Sequence, residues 1–455
     1  MEFSVGDIVR ATGGTLLAGD TSAAAGQVLT NSQKFPAGST FLALRGERHD
    51  GHSFLADVAR QGTACMVISK REAAAGIVGP AVVLVGDTQA ALTALGCAAR
   101  QRLKCPVLAI TGSCGKTTLK EMVGQVLRRR LKGQTPPASF NNQIGVPLTL
   151  LAAEPGDEFV LCELGTNHPG EIAALARVAR PTIGAVTVVA PVHLEGLGSV
   201  EGVAEEKAAL VDAIPADGAA VLNADDPLVA AMARRCKGRV VTVALAAKAD
   251  LVAEDIVQTD RGVDFTAGGA GFSLPVLGEH QARLALMAAA MAREMGIPVE
   301  ETAEILRTFE PPPMRLQVRE VGQVLLVDDC YNANPLSMRA SLGLLSLWPD
   351  RRRVFFCGEM RELGAASCAE HEGLGRAIVD AGVARLVCVG GEAQATARAA
   401  VAAGLVASAV TTCADVAAAV TEVKRSVRDG DVVLVKGSRA VHLEKVAEAI
   451  GAMPR

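Results

Sequence analysis

Aromatic side chains are scarce, at 3% of the 455 residues with one Trp and one Tyr. The formal net charge is −4, so the chain lacks the basic, base-stacking surface of a nucleic-acid binder, and no nucleic-acid partner is expected. The 11 cysteines include no C-x-x-C pair, which argues against zinc and disulfide frameworks and fits a reducing cytoplasm. The opening MEFSVGDIVR has neither the basic start nor the apolar core of a secretion signal. Uncharged stretches such as residues 399–414 are too short to span a bilayer. A cytoplasmic protein with no membrane insertion is expected.

What the chain does have is apolar bulk: 50% of residues are hydrophobic and 21% charged, enough for large cores in two to four domains at this length. It is organised around residues 107–120, VLAITGSCGKTTLK. A short apolar strand runs into a glycine loop, and Leu119, Met122, Val123, Val126 and Leu127 then recur at the spacing of an amphipathic helix. Arg128, Arg129, Arg130 and Lys132 are read as cations at its negative end, with Gly133 as its stop. Strand, loop and helix amino terminus make a phosphate cradle of backbone N–H groups. Gly112, Ser113, Cys114, Gly115, Lys116, Thr117 and Thr118 are the expected ATP contacts, with Lys116 reaching the outer phosphates and Thr117 a Mg²⁺ ion. Ile110 stands where the general phosphate-loop pattern has its first glycine.

Residues 1–103 read as a small mixed α/β domain. Its polar segment RGERHDGHSFL suits a ligand-facing loop, and His49 and His52 are read as surface or substrate contacts. Residues 104–313 alternate strands and helices as an open parallel sheet does, and ligands collect at the carboxyl ends of such strands. Glu163 and His193 each follow an apolar strand, which makes them candidate metal partners or, alternatively, structural turn residues. Lys207 falls within the apolar face marked by Val203, Leu210, Val211 and Ile214, whereas Glu205 and Glu206 are read as pointing away. A lysine there is paired, neutralised, modified or snorkelling. Asn223, Asp225 and Asp226 end a further strand, and Pro311, Pro312 and Pro313 mark a boundary. Residues 314–455 alternate regularly, predicting a doubly wound, Rossmann-like domain, but G-x-G-x-x-G is absent and no dinucleotide is inferred.

In order along the chain, TGSCGKTT, FNNQIGVPLTLL, ELGTNHPGEI, HLEGLGS, LNADD, DDCYNANPLSM and VKGSR resemble the Mur ligase family. Within it, YNANP with GEMRELG resembles the branch that joins D-alanyl-D-alanine to a UDP-linked muramoyl tripeptide, and no D-N-P-R signature of the diaminopimelate-adding branch is present. The resemblance implies an α/β protein of three domains: a UDP-sugar-binding amino-terminal domain, a central ATPase-type parallel sheet with flanking helices, and a carboxy-terminal domain that closes on ATP and brings the dipeptide. It implies ATP and Mg²⁺ as cofactors and UDP-MurNAc-tripeptide and D-Ala-D-Ala as substrates. Thr117, Glu163, His193 and Lys207 match the family's metal-site positions, Lys207 being the lysine the family carbamylates. Lys116, His193 and Lys207 would be catalytic, and His280, Arg315, Asp329 and Asn334 would close on the nucleotide. The chain departs from the family's usual pattern at Asn31 and Gln33, in the amino-terminal domain's sugar-binding motif, at Gln281 and Leu284 after the histidine, and at Ala209. A monomer is expected. Another Mur-type or folylpolyglutamate-type ligase, or a non-catalytic ATP-binding module, is the alternative.

Overall fold

The computed structural model describes residues 1–453 apart from Lys34, Glu47, Arg48 and Ala138. Among the described residues the three largest sheets, of five, seven and six strands in chain order, each carry their own helices.

The first body opens with β1 (Phe3–Ser4), α1 (Val5–Thr12), β2 (Thr15–Ala18), β3 (Ala24–Gly26), β4 (Val28–Leu29) and β5 (Thr40–Leu42). It continues with α2 (Leu55–Arg60), β6 (Cys65–Ile68), β7 (Ala81–Leu84) and α3 (Thr88–Arg102). Its five-stranded sheet has the order β2-β7-β6-β5-β4, with β2 antiparallel to β7 and the rest parallel. Part of the polar loop read as ligand-facing, Glu47 and Arg48, lies outside the described residues. His52 is a correction: it is buried, with Nδ1 2.6 Å from Asp50 and Nε2 accepting from the Ser69 N–H at 2.9 Å. Both ring nitrogens are engaged within the fold.

The middle body comprises β8 (Val107–Thr111), α4 (Lys116–Arg128), β9 (Gly133–Gln134), α5 (Gly145–Leu151), β10 (Phe159–Glu163), α6 (Glu171–Ala179), β11 (Ile183–Val186) and α7 (Leu194–Leu197). After these come α8 (Val200–Asp212), β12 (Ala219–Asn223), α9 (Pro227–Ala231), β13 (Arg239–Ala244) and β14 (Leu251–Val252). The seven strands β14-β13-β12-β11-β8-β10-β9 pair in parallel throughout. From β8 the chain first moves to one side, through β9 and β10, and then crosses to the other, through β11 to β14. That reversal leaves a crevice beyond the carboxyl ends of β8, β10 and β11, where open sheets bind ligands. An antiparallel sheet of β15 (Glu254–Gln258), β16 (Val263–Ala267) and β17 (Ala270–Leu274) precedes α10 (His280–Glu294) and α11 (Val299–Leu306).

The stripe expected on α4 is fully buried at Leu119, Met122, Val123, Val126 and Leu127, each contributing about 1.5–3 kcal/mol. It shares one core with α10, which is buried from Ala282 to Ala292 apart from Arg283, as befits a helix that is apolar nearly all round. The reading of Gly133 as a helix stop is corrected. It is the first residue of β9, where a Cβ would fall 2.4 Å from Phe159. The cations after α4 pair outward, Arg130 with Glu301 and Lys132 with Glu154.

The last body holds β18 (Gln317–Val321), β19 (Val324–Asp328), α12 (Pro335–Gly343), β20 (Arg352–Gly358), α13 (Ser367–Asp380), β21 (Arg385–Val389) and α14 (Ala393–Ala402). It ends with β22 (Val410–Cys413), α15 (Val416–Ser426), β23 (Asp431–Lys436) and α16 (Glu444–Gly451). The sheet order is β18-β19-β23-β20-β21-β22, parallel except for the β18–β19 hairpin. Helices lie on both faces, as in the doubly wound fold read from the sequence. Among the described residues no helix is long and apolar enough to cross a membrane.

Candidate active site

The loop from β8 to α4 turns on two glycines whose left-handed backbones demand the missing side chain. Gly112 has φ 145° and a Cβ there would lie 1.8 Å from Thr187 Oγ1, while Gly115, at φ 81°, would meet Leu284 of α10 at 2.9 Å. Thr187 donates from its hydroxyl to Cys114 O, and Ser113 N–H donates to Val188 O at 2.8 Å. The segment after β11 thus clamps the loop and leaves the amino terminus of α4 facing the crevice.

A cavity of about 700 Å³ lies there, walled by the middle and last bodies. Of the residues read from the sequence, Ser113 to Thr118, Glu163, His193, His280, Arg315, Asp329 and Asn334 all line it. Gly112 and Lys207 stand behind the wall, Lys207 only 1% exposed. Lys116, Arg283, Arg315, Arg361, Lys436 and Arg439 give the described lining six cations against the three carboxylates of Glu163, Asp329 and Glu362. A polyanion is therefore favoured locally, although the whole chain is acidic.

Glu163 ends β10 opposite Ile110 of β8. Its Oε1 accepts from Asn141 Nδ2 at 2.9 Å, while Oε2 is buried with no hydrogen-bond partner among the described residues. Burial lowers the Lys116 ammonium's pKa and the Glu163 charge opposes that shift. Lys116 Nζ donates to Gly112 O at 2.6 Å. A carboxylate oxygen without a partner, beside a phosphate loop, fits a hard cation. Among the described residues no group of three or more His, Cys, Asp or Glu side chains is placed to hold a metal by protein alone. The Glu163 oxygen suits Mg²⁺, which takes one or two carboxylates and completes its shell with phosphates and water.

His193 departs from the strand-end placement expected for it. β11 stops at Val186, and His193 follows a six-residue loop as the cap of α7, with φ 52°. Glu206 is a second correction. It is buried on α8, accepting from the N–H groups of Gly170 at 2.6 Å and Ile172 at 2.7 Å and from Thr166 Oγ1 at 3.2 Å. Three residues from Val203 and four from Leu210, it belongs to the same helical face as Lys207. Burial first, and then Lys116, brings the Lys207 amine down to about 7. Asn223, Asp225 and Asp226 serve the fold: Asp225 accepts from the N–H groups of residues 245–247, Asp226 caps α9, and Asn223 donates to Thr187 O.

The last body meets the loop directly. Arg315 donates to Thr117 Oγ1 at 3.0 Å and stacks 4.1 Å from the ring centroid of Tyr331, whose hydroxyl donates to Ser139 at 2.7 Å. Asn334 caps α12 and places Nδ2 3.0 Å from Cys114 Sγ. Asp329 is held by Lys436 Nζ at 2.6 Å, Ser341 Oγ at 2.6 Å and Leu316 N–H at 3.2 Å. At the opening of α10, burial and Arg283 push the His280 imidazole down to about 4, so it is neutral at pH 7. The neighbouring Gln281 Oε1 is buried and has no hydrogen-bond partner among the described residues. Sequence reasoning did not single out Ser139, Tyr331, Glu362 or Lys436 individually, although Tyr331 is the chain's one tyrosine and the last three lie in motifs already noted.

A phosphate loop at a switch point, faced by a second doubly wound body, defines a nucleotide-using α/β protein of several domains. Residues 110–292 match the Mur ligase middle domain and residues 314–439 the Mur ligase glutamate ligase domain. The chain belongs to the Mur ligase family. It is 37% identical to the UDP-N-acetylmuramoyl-tripeptide--D-alanyl-D-alanine ligase of Mycobacterium tuberculosis, over 99% of this chain and 98% of that one. Among solved structures it is similar to MurF from Acinetobacter baumannii, with TM-score 0.89, 28% identity and coverage of 100% and 99% of the two chains. It is also similar to the MurF ligase of Thermotoga maritima in complex with ADP, with TM-score 0.79, 25% identity and coverage of 93% and 97%.

Proposed function

We propose that the chain is an ATP-dependent ligase that joins D-alanyl-D-alanine to UDP-N-acetylmuramoyl-tripeptide, forming the UDP-linked pentapeptide of peptidoglycan synthesis. One observation carries the reading: the unpartnered Glu163 oxygen and the Lys116 ammonium share a cavity walled by two bodies, inside a chain similar to such ligases along its whole length.

A carboxylate is a poor acyl donor. Its oxygen first attacks the γ-phosphorus of ATP, the bond to the β-bridging oxygen breaks, and ADP leaves an acyl phosphate. The dipeptide's neutral amine then attacks the acyl carbon, gives up a proton, and expels inorganic phosphate. Bringing a carboxylate against a triphosphate gathers negative charge, and Lys116, with the loop N–H groups, offsets it where it develops. Arg315 and Asn334 carry the last body onto Thr117 and Cys114, which excludes water from the acyl phosphate. Mg²⁺, held by Thr117, Glu163, His193 and a carbamylated Lys207, would supply charge stabilisation to the phosphates. Residues 1–103 hold the UDP-sugar, 104–313 the ATP, and 314–455 the dipeptide. The enzyme works in the cytoplasm as a monomer.

The test is phosphate release from ATP and Mg²⁺ with UDP-N-acetylmuramoyl-tripeptide, with and without D-alanyl-D-alanine. Release that needs both, with the pentapeptide found by mass, supports the reading. Stimulation by a single amino acid instead would make the chain a sister ligase, and no stimulation would leave a binding module.

A further inference from the structure

Glu362, in the loop after β20, reaches from the last body to His193 in the middle one, with Oε2 2.5 Å from Nδ1. A second link runs alongside, the Glu195 N–H donating to Glu362 O at 3.3 Å. Both partners hold left-handed backbones, φ 52° at His193 and 66° at Glu362, a conformation uncommon for residues other than glycine. Such strain persists where the surroundings over-determine it, and it gathers at functional contacts. An ionised carboxylate only accepts hydrogen bonds, so the proton of the neutral imidazole sits on Nδ1 and Nε2 keeps its lone pair.

We propose that Glu362 is a positioning residue for His193, fixing its tautomer and ring plane so that Nε2 is the nitrogen offered to the divalent cation. The inference rests on the reading of His193 as part of the metal site. Carboxylate–histidine–metal relays act this way in metalloenzymes, the outer partner orienting the ligand and raising its basicity. Here the two members belong to different bodies, so the histidine is oriented only while the last body is docked. The metal site is thereby tied to closure.

The experiment measures Mn²⁺ bound to the full chain with ADP, by electron paramagnetic resonance, in wild type, Glu362→Ala, Glu362→Gln, His193→Ala and the Glu362→Ala/His193→Ala double variant. Glu362→Ala is expected to weaken Mn²⁺ binding about 10-fold, with metal-free ADP binding and the unfolding temperature unchanged. Glu362→Gln, whose amide oxygen still accepts from Nδ1–H, should stay close to wild type. In the His193→Ala background the effect of Glu362→Ala should vanish. If His193→Ala weakens Mn²⁺ binding and Glu362→Ala does not, Glu362 is a docking contact only and the proposal falls. Equal losses in the Ala and Gln variants, or a loss that persists without His193, also overturn it. An unchanged His193→Ala overturns both the proposal and the metal-site reading beneath it.

Discussion

After burial itself, Lys116 is the strongest influence holding the Lys207 amine below the ordinary lysine range. Lys116 lines the cavity and Lys207 lies buried behind its wall, and an amine lowered to about 7 is substantially neutral at physiological pH. The neutral amine is the form that adds carbon dioxide, and the resulting carbamate would place an anion beside Lys116 where a cation is costly. Lys207→Ala should therefore lower kcat by about 10²-fold or more, and a short carboxylic acid filling the vacated space should restore part of it. Full activity without rescue would show that no carbamate is needed.

Lys116 itself begins α4 from a loop fixed by Gly112 and Gly115, and among the described residues its ammonium donates only to Gly112 O, within its own loop. Lys116→Ala should reduce turnover by about 10³-fold with an unfolding temperature close to wild type. A variant with normal turnover would remove Lys116 from the mechanism.

What could be read from the sequence is what local pattern encodes. The apolar period of α4, the strand-end position of Glu163 and the alternation of the last body were legible because each depends on residues a few places apart. Glu206 was legible in principle, since its spacing from Val203 and Leu210 already placed it inward; its charge alone prompted the opposite reading. The role of His52 was not legible, because its partner Ser69 lies 17 residues away, just after β6. Nor were the Cys114–Asn334 and His193–Glu362 contacts, 220 and 169 residues apart, which depend on how two bodies meet. Whether Lys207 is a snorkelling side chain was decided by burial, at 1% exposure.

Gln281, which lines the cavity, has a buried Oε1 with no partner among the described residues. Such an atom costs about 1–3 kcal/mol in the free protein, and an amide facing a purine can recover that by accepting from its amino group. Gln281→Met should raise stability against urea while increasing KM for ATP about 10-fold or more and leaving kcat nearly unchanged. A variant with unaltered KM would exclude Gln281 from base recognition.

His280 gives a pH dependence whose sign follows from its lowered pKa. The unfolded imidazole takes a proton near 6.5 and the folded one near 4, so between these values the unfolded state binds more protons and stability falls with acidification. Wild type should lose more unfolding free energy than His280→Gln on going from about pH 7 to about pH 4.5. Parallel losses would show that His280 is not the group responsible.

Glu206 joins the opening of α6 to α8 by accepting from the N–H of Gly170, which caps α6, from the N–H of Ile172 in its first turn, and from Thr166. An anion at a helix amino terminus is favoured by the dipole as well as by the bonds themselves. The segment it holds carries Gly165, Thr166 and Asn167, which line the cavity, and its own helix carries Lys207 one residue on. Glu206→Ala should thus destabilise the protein by about 1.5–3 kcal/mol in chemical unfolding and also raise substrate KM, because the loop loses its anchor. Glu206→Gln keeps one acceptor oxygen and should lie between. Should Glu206→Ala unfold at the wild-type denaturant concentration, the carboxylate is not what fixes this corner, and the placement of Lys207 must be credited to the apolar face of α8 alone.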